Sequence, residues 1–181
     1  MEVVKFSEKK TLKANKYSKE TYSLTQIMLH WSIAALVIYQ LSINKEIKLW
    51  YKQNQTGLEV PNHSLGAWLH IIIGITIFSL MLYRLYKRDQ TGTPALPKSN
   101  YLPLLLLARL SHYSLYLLLF SIPVSGFFGW YLEIKILIDV HHLLSKILVA
   151  LILFHICAAI FQEGVLGNKI LKKMLSPEKK N

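Results

Sequence analysis

The chain has a single cysteine, Cys157, among 181 residues. One thiol excludes an internal disulfide, and no C-x-x-C-H segment is present to tie a cofactor covalently to the chain. Cys157 falls inside an apolar run, where a small buried residue is the expected role. Acidic residues are also few, 10 Asp and Glu against 21 Lys and Arg, leaving a net charge of +11. No internal repeat or low-complexity segment is evident, and no polar stretch is long enough to form a separate soluble domain. The first 23 residues are polar and Lys-rich, without the apolar core of a signal peptide. Any chemistry is therefore expected within the apolar part of the chain or at its rims.

Apolar sequence is plentiful. Hydrophobic residues make up 52% of the chain, and about 20 in a row suffice to cross a bilayer. Four such runs are present, at about 24–43, 65–86, 104–128 and 140–161. Arg109, His112 and Pro123 interrupt the third, and Pro123 with Gly126 is expected to kink or end it. Irregular backbone is costly in lipid, so the runs predict helices. Short connections predict antiparallel neighbours in one bundle. The fold class is thus an all-α membrane protein, a four-transmembrane-helix antiparallel bundle over 24–162 between basic tails at 1–23 and 163–181. In the first loop, Gly57 and Pro61 break regular structure, and IKLWYK reads as a short amphipathic turn at the interface.

A strong positive charge suits nucleic acid, but its distribution here follows topology. Lys5, Lys9, Lys10, Lys13, Lys16, Lys19, Lys87, Arg88, Lys98, Lys169, Lys172, Lys173, Lys179 and Lys180 fall on one side of a four-span arrangement. Lys45, Lys48, Lys52 and Lys135 fall on the other. The positive-inside rule then predicts both termini in the cytoplasm and no nucleic-acid partner. Trp31, Trp50, Tyr51, Trp68, Trp130 and Tyr131 lie near predicted helix ends, as an aromatic belt requires.

His141 and His155 share the last run, 14 residues apart. On an α-helix that interval advances roughly 21 Å and returns to within about 40° of the same face. Two imidazoles then point the same way near opposite membrane faces. Ionisable groups inside a membrane are functional candidates by default. With helix one running outward and helices two and four inward, depth matching pairs His30 with His155 and His70 with His141. Each pair could hold one iron from both sides, as two axial imidazoles of a haem between facing helices. Iron–iron separation along the normal should then be about 20 Å, from the 14-residue rise.

Several residues flank these pairs. His142 competes with His141, but its 13-residue interval to His155 turns it about 140° from that face. Without a ligand role it could contact a proton or anion at the outer rim. His63 reads as an exposed loop residue. Arg84 follows His70 by 14 residues, which aims it at the His30–His155 layer as a bidentate partner for a haem propionate. A snorkelling Arg that sets topology is the plainer role. Arg88, one turn on, reads as interfacial. Arg109 and His112 could bind a propionate, a quinone carbonyl or a lipid phosphate, or form a structural polar network. Trp31 and Trp68 could line haem edges. Gly74, one turn from His70, leaves room for a porphyrin plane or for close helix packing.

The segments YSLTQIMLHW, LHIIIG with LMLYRLYKR, ARLSHYSLYLLLFSIPVSG and HHLLSKILVALILFHICAA carry a resemblance. Over about residues 21–176 the chain resembles the bacterial cytochrome b561 family, which includes the superoxide oxidase of enteric bacteria. The resemblance implies four helices with two non-covalent, bis-histidine haem b groups, and axial ligands at His30, His70, His141 and His155. It also matches Arg84 to the family's helix-two Arg and His112 to its helix-three His as cofactor-binding positions. Family members often carry an acidic residue at the position of His142 and a His at that of Gln162. The implied function is electron transfer in the bacterial inner membrane from a periplasmic donor, with superoxide a candidate, to ubiquinone. That would make the chain an oxidoreductase of superoxide:quinone type. The alternative is a membrane-anchor cytochrome b subunit of a hydrogenase or dehydrogenase.

Overall fold

The computed structural model describes residues 21–56, 65–94 and 102–177. Among these the chain forms six helices and no strand: α1 (Leu24–Ser42), α2 (Asn44–Gln55), α3 (Leu65–Thr91), α4 (Leu102–Tyr131), α5 (Lys135–Gly164) and α6 (Ile170–Leu175). The helices α1, α3, α4 (from Leu106) and α5 are each long and apolar enough to cross a membrane. Large apolar side chains such as Leu110, Leu117, Leu153 and Ile160 stay exposed along them, giving the bundle a surface suited to lipid. The expectations for His63, Gly57, Pro61, Lys98 and the N-terminal lysines fall outside the described residues.

Polar side chains fasten α1 to α3 at both ends. Ser23 and Gln26 form a capping box that starts α1. The same Gln26 is buried and donates from Nε2 to the Gly92 carbonyl at 2.8 Å, just beyond α3. Gly92 ends α3 with a φ of 71°, a left-handed conformation that suits glycine. Near the other end, Gln40 Nε2 donates to the His70 carbonyl at 2.7 Å. These contacts fix an antiparallel α1/α3 pair, because early residues of one helix meet late residues of the other.

A second antiparallel pair is α4/α5. Its turn is tight: Glu133 adopts a φ of 55°, and Ile134 N–H donates to the Gly129 carbonyl at 3.0 Å. A Cβ on Gly129 would come within 3.0 Å of the Ile138 backbone nitrogen, so glycine permits the close approach. The pairs join through α3 and α4, where Phe78 meets Phe120 with ring centroids 5.5 Å apart. Met81 is fully buried at this junction among Ile33, Val37, Ile77, Leu118 and Leu148. By contrast, α5 packs closely on α4 and α6 but scarcely on α1 or α3. The histidines lie along that looser seam.

Three of the four spanning helices, α3, α4 and α5, run longer than the apolar runs alone suggest, while α1 matches its run closely. α4 continues through Pro123 to Tyr131. Proline removes one N–H, whereas ending a helix in lipid would leave several backbone groups without partners. α3 carries its polar end LYKRDQT in helical form until Gly92 stops it. The expected interfacial turn in the first loop is a 12-residue helix, α2. The C-terminal tail contributes α6, which returns to the bundle: Glu163 Oε2 accepts from Leu171 N–H at 2.9 Å, and Trp31 Nε1 donates to the Met174 carbonyl at 3.0 Å. Cys157 is exposed, contrary to its expected burial, because it falls on an outward face of α5.

Replacing Met81 by Ala should cost about 2–5 kcal/mol, since it empties the best-packed site in the bundle. Leu117→Ala, on the exposed face, should change stability by less than about 0.5 kcal/mol. Thermal unfolding in detergent, followed by circular dichroism, compares the two.

Candidate functional site

Four histidines meet across the seam in two pairs. His30 on α1 faces His155 on α5 with ring centroids 6.5 Å apart and planes inclined by 57°. His70 on α3 faces His141 on α5 at 6.0 Å and 66°. The first pair lies toward the end of the bundle where α1 begins and α5 finishes, and the second toward the opposite end. One face of α5 thus supplies a ring to each pair, as its 14-residue interval requires.

The spacing within each pair suits a metal held between two imidazoles. A metal–nitrogen bond of about 2 Å, with a ring radius of about 1.1 Å on each side, puts the centroids about 6 Å apart. Each pair supplies only two nitrogens, and no cluster of three or more His, Cys, Asp or Glu suited to a metal occurs among the described residues. A bare tetrahedral zinc ion would lack ligands, whereas an iron already held equatorially by a porphyrin needs two axial ones. The residues present therefore fit a haem better than a free ion.

The His141 ring is held from α4. Its Nδ1 lies 2.8 Å from the Ile122 carbonyl, which can only accept, so Nδ1 carries the proton and Nε2 keeps its lone pair. Ser125 Oγ donates to the same carbonyl at 3.0 Å. A Cβ on Gly126 would lie 2.7 Å from His141 Nδ1, so the absent side chain creates the notch that seats the ring. Pro123 and Gly126 belong to this seat and do not end the helix. His142, the competing residue, is exposed, with its ring 6.0 Å from that of His141.

The other end is richer in polar groups. The His112 ring meets His155 edge-on at 5.1 Å, and its Nδ1 donates to the Ala108 carbonyl at 2.6 Å. Arg109, one turn away in sequence, is exposed, whereas His112 is half-buried. Arg84 Nη1 donates to the Gln26 carbonyl at 2.8 Å, and its Nε to the Tyr116 hydroxyl at 3.3 Å. The Arg88 guanidinium lies 5.5 Å over the Tyr116 ring. Tyr22, just before α1, has its phenol pushed up by burial although Arg84 and Arg88 pull it down. Trp31 touches His30 edge-on at 5.3 Å while it holds α6.

Gln26, Gln40 and Tyr116 escaped the sequence reading. A glutamine inside an apolar run is as anomalous as a histidine and could have been singled out on that ground. Nothing in the sequence marks the Ile122 carbonyl, since every residue has one.

Residues 21–177 match the family described as prokaryotic cytochrome b561. The chain belongs to that family. It is similar to a protein of Cereibacter sphaeroides named cytochrome b562, 28% identical over 156 residues that cover 86% of this chain and 96% of that protein. This cytochrome b561 family member is a multi-pass bacterial membrane cytochrome with a role in electron transfer, and haem b is the cofactor its family implies.

Gly126→Ala should displace the His141 ring and lower the haem b content of the purified protein. Gly164→Ala should not, because a Cβ there meets nothing within 4 Å. Absorbance at the haem Soret band relative to protein checks both.

Proposed function

We propose that this cytochrome b561 family member holds two haem b groups and carries electrons across the bacterial inner membrane to ubiquinone. The observation that supports this most is the presence of two facing histidine pairs at separate depths, each with an imidazole from α5. His30 and His155 would be the axial ligands of one group, His70 and His141 of the other. Haem b supplies reversible one-electron exchange at its iron. The 14-residue interval on α5 would hold the two irons about 20 Å apart along the normal.

The surrounding residues have defined tasks on this reading. The Ile122 carbonyl fixes the His141 tautomer, and Gly126 admits the ring. Arg84 keeps N–H groups beyond its two protein contacts and would bind a haem propionate. His112, with Nδ1 committed to Ala108, presents Nε2 as an acceptor beside His155 and would meet cofactor or quinone there. Both termini would lie in the cytoplasm, with the lysine-rich segments following the positive-inside rule.

The electron donor would be superoxide at the periplasmic face. Two superoxide anions would each give up one electron and leave as dioxygen, while one quinone takes both electrons and two protons to become quinol. Exposed Lys48, Lys52 and Lys135 lie at the His70–His141 end and would attract an anion, against the opposing charge of Glu133 and Asp139.

His30→Ala or His155→Ala should remove one haem and leave the other, and His70→Ala or His141→Ala should do the reverse. His142→Ala should retain both. Haem quantitation and spectra of the purified variants decide this, and loss of a haem in His142→Ala with retention in His141→Ala would overturn the ligand assignment. Superoxide oxidation with ubiquinone as acceptor should slow as ionic strength rises, whereas no superoxide-driven quinone reduction at any salt would remove superoxide as donor.

A further inference from the structure

Among the described residues, His70 differs from the other three candidate axial rings. Its Nδ1 is buried without a hydrogen-bond partner. An imidazole nitrogen in that position is costly to leave unpaired in an apolar bundle, and ligating histidines almost always donate their second ring N–H to an acceptor. The Oε1 of Gln40 is likewise buried without a partner. These two orphans belong to residues already joined, because Gln40 Nε2 donates to the His70 backbone carbonyl at 2.7 Å. One orphan is a ring nitrogen able to donate and the other is a carbonyl oxygen able only to accept.

Local sequence makes room for the contact. The nearest atom to a Cβ placed on Gly74 would be Gln40 Nε2, at 3.7 Å, so the amide lies over the turn from His70 to Gly74. Helical geometry commits one lone pair of the His70 carbonyl to Gly74 N–H, and the amide takes the other. The amide nitrogen must point at that carbonyl, which leaves its oxygen as the free acceptor beside His70.

We propose that Gln40 is the positioning residue for His70, its side-chain oxygen accepting the His70 Nδ1–H in the loaded protein and so keeping the Nε2 lone pair toward His141. Gln40 would do from α1 what the Ile122 carbonyl does for His141 from α4. The acceptor also makes the imidazole a stronger electron donor to iron and so favours the oxidised haem. This inference rests on the reading of His70 as an axial ligand.

Redox titration of the purified holoprotein, with each haem followed by its own absorbance, tests it. Gln40→Leu and Gln40→Asn, the latter too short to reach, should raise the midpoint potential of the haem at the His70–His141 end. They should also weaken its retention about 10–100-fold. Gln40→Glu restores an acceptor and should bring the potential back to that of the unaltered protein or below it. The haem at the His30–His155 end should keep its potential and serves as the control for a folded bundle. Should Gln40→Leu fail to fold, Gln40→Asn carries the test, since it keeps the size class and polarity. An unchanged potential in all folded variants, or an equal shift of both haems, overturns the proposal and leaves Gln40 a tether between helices. If His70→Ala retains that haem, the ligand reading itself fails, a result separate from any seen at Gln40.

Discussion

A bilayer gives no water to a backbone carbonyl, an amide or an imidazole, so every polar group carried into it must find its partner in the protein. That constraint organises this bundle. The helices could have been held by apolar packing alone, yet the α1/α3 pair is fastened by Gln26 at one end and Gln40 at the other. Both amides reach backbone carbonyls of α3 or its end. Ser111 and Ser125 are buried on α4, Arg84 and Tyr116 join α3 to α4, and the two facing histidine pairs lie on the seam that α5 shares with α1 and α3.

The seam is loose for a reason that matches its chemistry. Tight backbone packing holds α4 to α5, where Gly129 and Gly126 let the two helices approach closely. No such packing joins α5 to α1 or α3. What crosses the seam is Leu148, in the core with Ile33, Val37 and Ile77, and on either side of it along α5 a pair of rings about one metal's width apart. A flat cofactor between such rings would fill the space that backbone contact leaves, and the polar clamps would keep α1 and α3 from closing it. The bundle is thus two rigid antiparallel pairs with the proposed cofactor positions between them.

Much of this was legible in the sequence, through arguments of unequal strength. The apolar runs gave four helices because length and lipid leave no alternative. The interval between His141 and His155 on one helix predicts a face shared by both rings, and in the bundle His141 meets His70 while His142 is exposed. Helix ends were less legible, since α3 stops at Gly92 and not where its apolar run ends. Pro123 is expected from sequence to kink or end its helix; α4 continues through it, and it follows the Ile122 carbonyl that orients His141. Arg109 and His112, neighbours by spacing, diverge because only His112 turns inward, toward His155. Cys157 faces outward, which its apolar neighbours could not reveal, since in lipid outside and inside are both apolar.

The function proposed for this bundle depends on each histidine pair holding one haem. Quantitation of non-covalent haem b against chain concentration in the purified protein tests it most directly, with bis-imidazole low-spin spectra as the companion measurement. Two haems per chain, both low-spin, are expected. A single haem, or a colourless protein that fails to take up added haem, would contradict it.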